Sequence, residues 1–336
     1  MDTIQVTEYP TTDILQIRIL WFDFDGLNGP GRWLYHGVRH FVHPDNIYVC
    51  SCKGSYSEHT PGFMFSGRPA VKQYDLSKAL AKEFDICFIS SVFEEIADPY
   101  LNMECNLLLN ELKQRENYVL ILMDPYDHSG TFPDYRTSFE QADMLFSRCI
   151  AKDCLYPPNV FPLPICSPLS SVSPFQLREH DVAFNANLSH GALRIEAHET
   201  LSKSDLKYKG NPCEFLEFIA NLANSKIAID IQQDSLDTIR FIQSLASGAL
   251  VLKNKTKIVT QYPFIEDFHY ASFECIDEMM DKLNYYLTHD KERLSMALAG
   301  QNFLNQYHTT QATAKYWFEM IKRFARLEHI RTLIDL

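Results

Sequence analysis

Short apolar runs alternate along the chain with longer amphipathic stretches. In the first half the runs over 14–22, 46–50, 85–90, 118–123 and 142–146 read as strands, and the spacing over 33–41 and 100–115 reads as helical. In the second half, strands are expected over 181–186, 206–208, 227–231 and 249–252. Helices are expected around Arg194, over 212–223, around Arg240, over 276–287, and in a long tract over 311–333. Near-continuous apolar strands suit a parallel sheet buried on both faces, and their alternation with helices predicts an α/β fold.

The stretch 156–179 breaks this rhythm. It holds Pro157, Pro158, Pro162, Pro164, Pro168 and Pro174, with Ser167, Ser170, Ser171 and Ser173 among them. Such a run sustains neither a helix nor a central strand, so it reads as an interdomain connection. The chain of 336 residues is long enough for two domains, here 1–165 and 180–310, each expected to be Rossmann-like.

Composition narrows the classes. Hydrophobic residues at 46% and charged residues at 22% are those of a globular protein. The net charge of −12 and the lack of a basic stripe weigh against a free-standing nucleic-acid binder. Lys203, Lys207 and Lys209, and Lys253, Lys255 and Lys257, alternate with other residues and read as solvated strand ends. Nine cysteines without a C-x-x-C pair argue for free thiols in a reducing, cytoplasmic setting. No apolar stretch is long enough to span a bilayer, and the polar, acidic start does not read as a signal peptide. No His/Asp/Glu spacing suggests a metal site.

The segment 235–252 carries the sharpest signal. Asp237-Thr238-Ile239-Arg240 opens a helix that ends at Ser247-Gly248, and Ala249-Leu250-Val251-Leu252 follows at once as a strand. Gly248 sits where a helix needs a left-handed exit. Arg240, near the helix start and expected to project into a solvent-filled crevice, suits a diphosphate, which the helix end also favours. Asp237 and Thr238 suit an N-cap or a ligand contact.

Further signatures follow in order: His269-Tyr270, a helix, Ala297-x-x-Gly300-x-x-Phe303, and Tyr316-Trp317-Phe318 in the terminal helix. Over 181–327 this order resembles the protein O-glucosyltransferase and lipopolysaccharide-modifying glycosyltransferase family. It is also similar to the spore-maturation-protein glycosyltransferases. The resemblance implies two Rossmann-like domains facing across a cleft, the GT-B arrangement, with a terminal helix over 311–336 returning to the N-terminal domain. It implies a nucleotide-sugar bound in the C-terminal domain, with Arg240 and Arg194 on the diphosphate and Gln243 where a ribose contact is made. The turn Phe184-Asn185-Ala186 departs from the family's Phe-x-Gly.

In the N-terminal half the loop from Gly26 to Gly31, including Gly29, lets backbone approach a ligand closely. An acceptor hydroxyl needs a base, and Asp127, His128 and Asp25 lie in loops after buried strands, where open α/β sheets bind ligands.

The expectation is a metal-independent, inverting hexosyl- or pentosyltransferase that takes a UDP-sugar as co-substrate and needs no cofactor. Its acceptor would be a saccharide or a protein hydroxyl. Transfer to hydroxymethylated bases of DNA is an alternative that the acidic charge disfavours. A non-catalytic nucleotide-sugar-binding module on the same fold is another.

Overall fold

The computed structural model describes residues 15–23, 30–51, 74–90, 107–108, 110–124, 142–148, 150–152, 155–163, 165–166, 171–189, 191–210, 214–232, 239–255 and 258–336. The chain divides into two compact units. The first takes in Met1–Ile150, Cys154–Pro164 and Thr310–Leu336, and the second Ala151–Asp153 and Ile165–Thr309.

The first unit is built on a six-stranded parallel sheet. Its strands are β1 (Ile19–Asp23), β2 (Ile47–Ser51), β3 (Ile86–Ser90), β4 (Val119–Asp124), β5 (Met144–Ser147) and β6 (Val160–Pro162), in the order β2-β1-β3-β4-β5-β6. Every residue of β3, β4 and β5 is buried, as the continuous apolar runs require of strands covered on both faces. Leu20, Phe22, Cys87, Ile89, Leu120 and Leu122 point to one face, where Ala79 and Leu80 of α2 (Leu76–Leu80) join them. The alternate residues Trp21, Phe88 and Phe146 point to the other face and surround Trp317 of α8 (Thr310–Phe324). Their ring centroids lie 6.2, 5.7 and 6.5 Å from Trp317.

Helix α1 (Pro30–Val38) also covers that face, through Tyr35 edge-on to Trp21. It packs closely on α8 because residue 37 is glycine: a Cβ there would collide with the Thr310 carbonyl and with Ala314 Cβ. The terminal tract expected as one helix is two, α8 and α9 (Glu328–Leu333), interrupted at Ala325–Leu327.

The second unit carries a five-stranded parallel sheet of β7 (His180–Phe184), β8 (Tyr208–Gly210), β9 (Ser225–Asp230), β10 (Leu250–Asn254) and β11 (Ala271–Phe273). The order is β11-β10-β9-β7-β8, so the direction of winding reverses between β7 and β9. One face holds Val182, Phe184, Ile227, Ile229, Leu250 and Leu252. Against it lie Ala197 and Leu201 of α3 (Ala192–Lys203), Met279 and Leu283 of α6 (Ile276–Thr288) and Ala297 of α7 (Asp290–Tyr307). The other face, with Ala183, Ala228 and Ala249, takes Leu222 of α4 (Phe215–Ala223). Helix α5 (Ile239–Ala246) buries all its residues from Phe241 to Ala246.

The proline-rich stretch is not wholly the open connection its composition suggests. Val160–Pro162 forms β6, at the sheet edge where a missing N–H is tolerated. Further on, the described part of the stretch is fastened to the second unit. The buried Arg178 guanidinium donates to the carbonyls of Ser173, Leu222, Ala223, Ser225 and Ser247. It thereby satisfies carbonyls at the ends of α4 and α5 that the helices leave open. Gln301 Nε2 donates to Val172 O at 2.7 Å. Burial, together with repulsion from Arg293, pushes the Arg178 pKa down to about 10. Gly248 leaves α5 with φ +72°, and a Cβ there would meet Val172 O and Arg178 Nη2.

Candidate functional site

At the carboxyl edge of the second sheet, the loops after β7 and β9 flank the point where strand order reverses. In open α/β sheets this is where ligands bind. Arg194 stands in the first turn of α3, which follows β7, and is buried. Its Nε donates to Ile231 O at 2.9 Å and its Nη1 to Asn187 O at 3.4 Å. The guanidinium thus ties the backbone leaving β9 to the loop leaving β7. Beyond Ile231, the Gln232 N–H donates to Asn254 Oδ1 at 2.6 Å and Asn254 Nδ2 donates to Gln232 O at 3.2 Å. The chain leaving β9 is therefore held from both sides.

Asp230, the last residue of β9, is fully buried. Arg240, in the first turn of α5, brings its Nε to 3.7 Å from Asp230 Oδ1. The side chain is 24% exposed, so it lies against the carboxylate and does not project freely into solvent as expected. Burial lowers the Arg194 pKa, repulsion from Arg240 lowers it further, and Asp230 opposes both. Two arginines and one carboxylate therefore share one electrostatic environment. Gln243 lies on the same helix one turn further along and is buried.

Lys253 was not singled out by its pattern, and it is the largest departure from expectation. The Lys253/Lys255/Lys257 alternation suggests a solvated strand end, but Lys253 is only 3% exposed. It pairs in register with Asp230 on the neighbouring strand, so both side chains leave the same face of the sheet. Its Nζ lies 3.7 Å from the centre of the Phe241 ring and 5.7 Å from that of Tyr270. Lys255 is exposed and pairs with Glu274 at 2.6 Å, and Lys257 lies outside the described residues.

The His269-Tyr270 pair supports this corner. His269 Nδ1 accepts the Ile265 N–H at 2.8 Å, and its ring stacks on Phe303 at 4.4 Å. Tyr270 stands edge-on to Phe241 at 5.4 Å. The accepting Nδ1 fixes the neutral tautomer with its proton on Nε2, and burial lowers the His269 pKa.

Asp25, Gly29, Asp127, His128, Asp237 and Thr238 lie outside the described residues. Among the described residues no cluster of three or more His, Cys, Asp and Glu is placed to hold a metal ion. Nor is any described helix long and apolar enough to cross a membrane.

Residues 193–319 match the glycosyl transferase-like family model, a span that includes Arg194, Asp230, Arg240 and Lys253. No curated protein sequence matches the chain significantly. Among solved structures it is similar to Anabaena Alr3699/HepE in complex with UDP, with TM-score 0.58 and 10% identity over 91% of this chain and 100% of that one. A glycosyltransferase from Rickettsia africae ESF-5 aligns with TM-score 0.57 and 11% identity, over 93% of this chain and 99% of that one. The apo lipopolysaccharide outer core galactosyltransferase WaaB aligns with TM-score 0.57 and 7% identity, over 91% and 100%. The chain therefore has the α/β fold of GT-B glycosyltransferases, with two parallel-sheet Rossmann-like units and a glycosyl transferase-like segment in its second half.

Proposed function

We propose that this protein is a metal-independent, inverting glycosyltransferase that moves a sugar from a UDP-sugar to an acceptor hydroxyl. The observation that carries the reading is the convergence of Arg194, Asp230 and Arg240 at the strand-order reversal of the glycosyl transferase-like unit. Two guanidiniums sharing one carboxylate leave a net positive corner at a strand edge, which suits a diphosphate. The UDP in the similar Anabaena protein agrees with that choice of donor. The sequence order of the second half further favours the O-glucosyltransferase or spore-maturation branch, with a saccharide or protein hydroxyl as acceptor.

In this mechanism the acceptor oxygen forms its bond to the anomeric carbon as the bond to the diphosphate breaks. The acceptor's proton passes to a base, for which Asp127, His128 and Asp25 are the candidates, and the negative charge growing on the diphosphate is met by Arg240 and Arg194. Neutralisation by arginine gives the reaction a route that requires no divalent ion.

A panel of nucleotide-sugars incubated without acceptor tests the reading through release of free nucleoside diphosphate. Slow release of UDP from one UDP-sugar is the expected result. Tight UDP binding with no release from any donor, and no transfer to hydroxyl acceptors, would mark a non-catalytic binding module instead.

A further inference from the structure

Arg240 can serve a diphosphate only if the short helix that carries it is held still. Two buried charges that the sequence pattern does not flag lie beneath that helix. Asp230 and Lys253 are register partners on adjacent strands, both buried on the face that α5 covers. Asp230 takes the Arg240 guanidinium at 3.7 Å, and Lys253 lies 3.7 Å from the ring centre of the next residue, Phe241. One strand-borne pair thus holds two consecutive residues of the first turn of α5, one by charge and one by cation–π contact.

A lone buried carboxylate or ammonium is costly, and each of these two has a group of opposite charge type as its register partner on the neighbouring strand. The arrangement also leaves the charge balance positive. Asp230 faces Lys253 in register and Arg240 across the sheet–helix junction, and it opposes the charge repulsion on Arg194 as well. One carboxylate thus stands among three cations.

Resting on the donor reading above, we propose that Asp230 and Lys253 are positioning residues. They fix the first turn of α5 so that Arg240 is aimed at the donor diphosphate, and they touch no substrate themselves. The neighbouring aromatic packing of Tyr270 on Phe241 then locks the lysine's platform in place.

The test is a double-mutant cycle on the full-length protein, read as UDP affinity by calorimetry, with Asp230→Asn and Arg240→Ala alone and combined. Asp230→Asn alone should weaken UDP about tenfold, and in the Arg240→Ala background it should cost almost nothing more, because both changes remove one function. Lys253→Met serves as a second variant, with the same expected dependence on Arg240. It also decides the matter if the asparagine variant does not fold. Equal losses in both backgrounds would mean that the pair only supports the fold, and the positioning role would fall. If Arg240→Ala itself leaves UDP affinity unchanged, the donor assignment falls instead, so the two failures are separable.

Discussion

Arg194 donates through Nε to the carbonyl of Ile231 at 2.9 Å, which joins the helix after β7 to the backbone leaving β9. An arginine expected to be a ligand contact is thus a structural tie at the strand-order reversal. Replacing it by alanine removes a charged donor from a buried carbonyl, a change worth about 1–3 kcal/mol. Arg194→Ala should therefore lower the urea midpoint as well as UDP affinity. Arg194→Lys, which cannot reproduce the planar fork, should recover little of either. Full stability in the alanine variant would show that the tie is dispensable.

Gly248 links the end of α5 to the stretch held by Arg178. With φ at +72° and Val172 O and Arg178 Nη2 in the place of a Cβ, alanine there meets both backbone strain and a clash. Gly248→Ala should cost more than about 1 kcal/mol in denaturant unfolding, well beyond the entropy that alanine would recover from the unfolded chain. Unfolding at the wild-type midpoint would argue that the stretch moves aside readily.

These two positions show what was legible in the chain. Gly248 could be read directly, because a small-residue–Gly ending before an apolar strand has one local meaning. Arg240 was read from its place near a helix start, which is also local, whereas Arg194 came only with the family resemblance. Lys253 was misread because burial of a lysine depends on what tertiary packing lays over it, here Phe241 of α5. Asp230 ended an apolar strand without any distinguishing pattern, and its meaning appeared only with its register partner. Val160–Pro162 was hidden by composition, since proline forbids a central strand but not an edge one.

His269 makes stability depend on pH in a defined direction. Its folded pKa is lowered from the ordinary 6.5 because the ring is buried, and Nδ1 already accepts the Ile265 N–H. The unfolded chain therefore binds the proton more readily than the folded one. The contribution is fully present above about pH 6.5 and is lost as pH falls through the folded pKa. His269→Asn should be less stable than wild type at pH 7.5, and the gap should narrow at pH 5.5 in parallel urea titrations. A gap that widens on acidification would reverse the assignment.

Arg240→Ala removes the guanidinium proposed to meet the diphosphate and one partner from the buried Asp230. Turnover of the UDP-sugar should fall about a hundredfold or more, the scale of losing one donor to developing charge. The variant should also unfold at a somewhat lower temperature, because Asp230 retains Lys253 as its register neighbour but loses the arginine. Wild-type turnover would place the diphosphate elsewhere.

The base is the last assignment to test, and it rests on chain position. Strand β4 ends at Asp124 and β1 at Asp23, so Asp127 and His128, and Asp25, follow the carboxyl ends of two central strands of the first sheet. Parallel sheets present their reactive groups just beyond such strand ends. A proton acceptor must lie within hydrogen-bond reach of the attacking hydroxyl, and it plays no part in holding the diphosphate. Asp127→Asn and His128→Ala, made separately, should therefore abolish transfer in at least one case while UDP affinity stays at the wild-type value. If both transfer sugar normally and Asp25→Asn does not, the base is Asp25. Activity in all three would remove these positions from the chemistry, whereas loss of UDP binding in any of them would make that residue a donor contact.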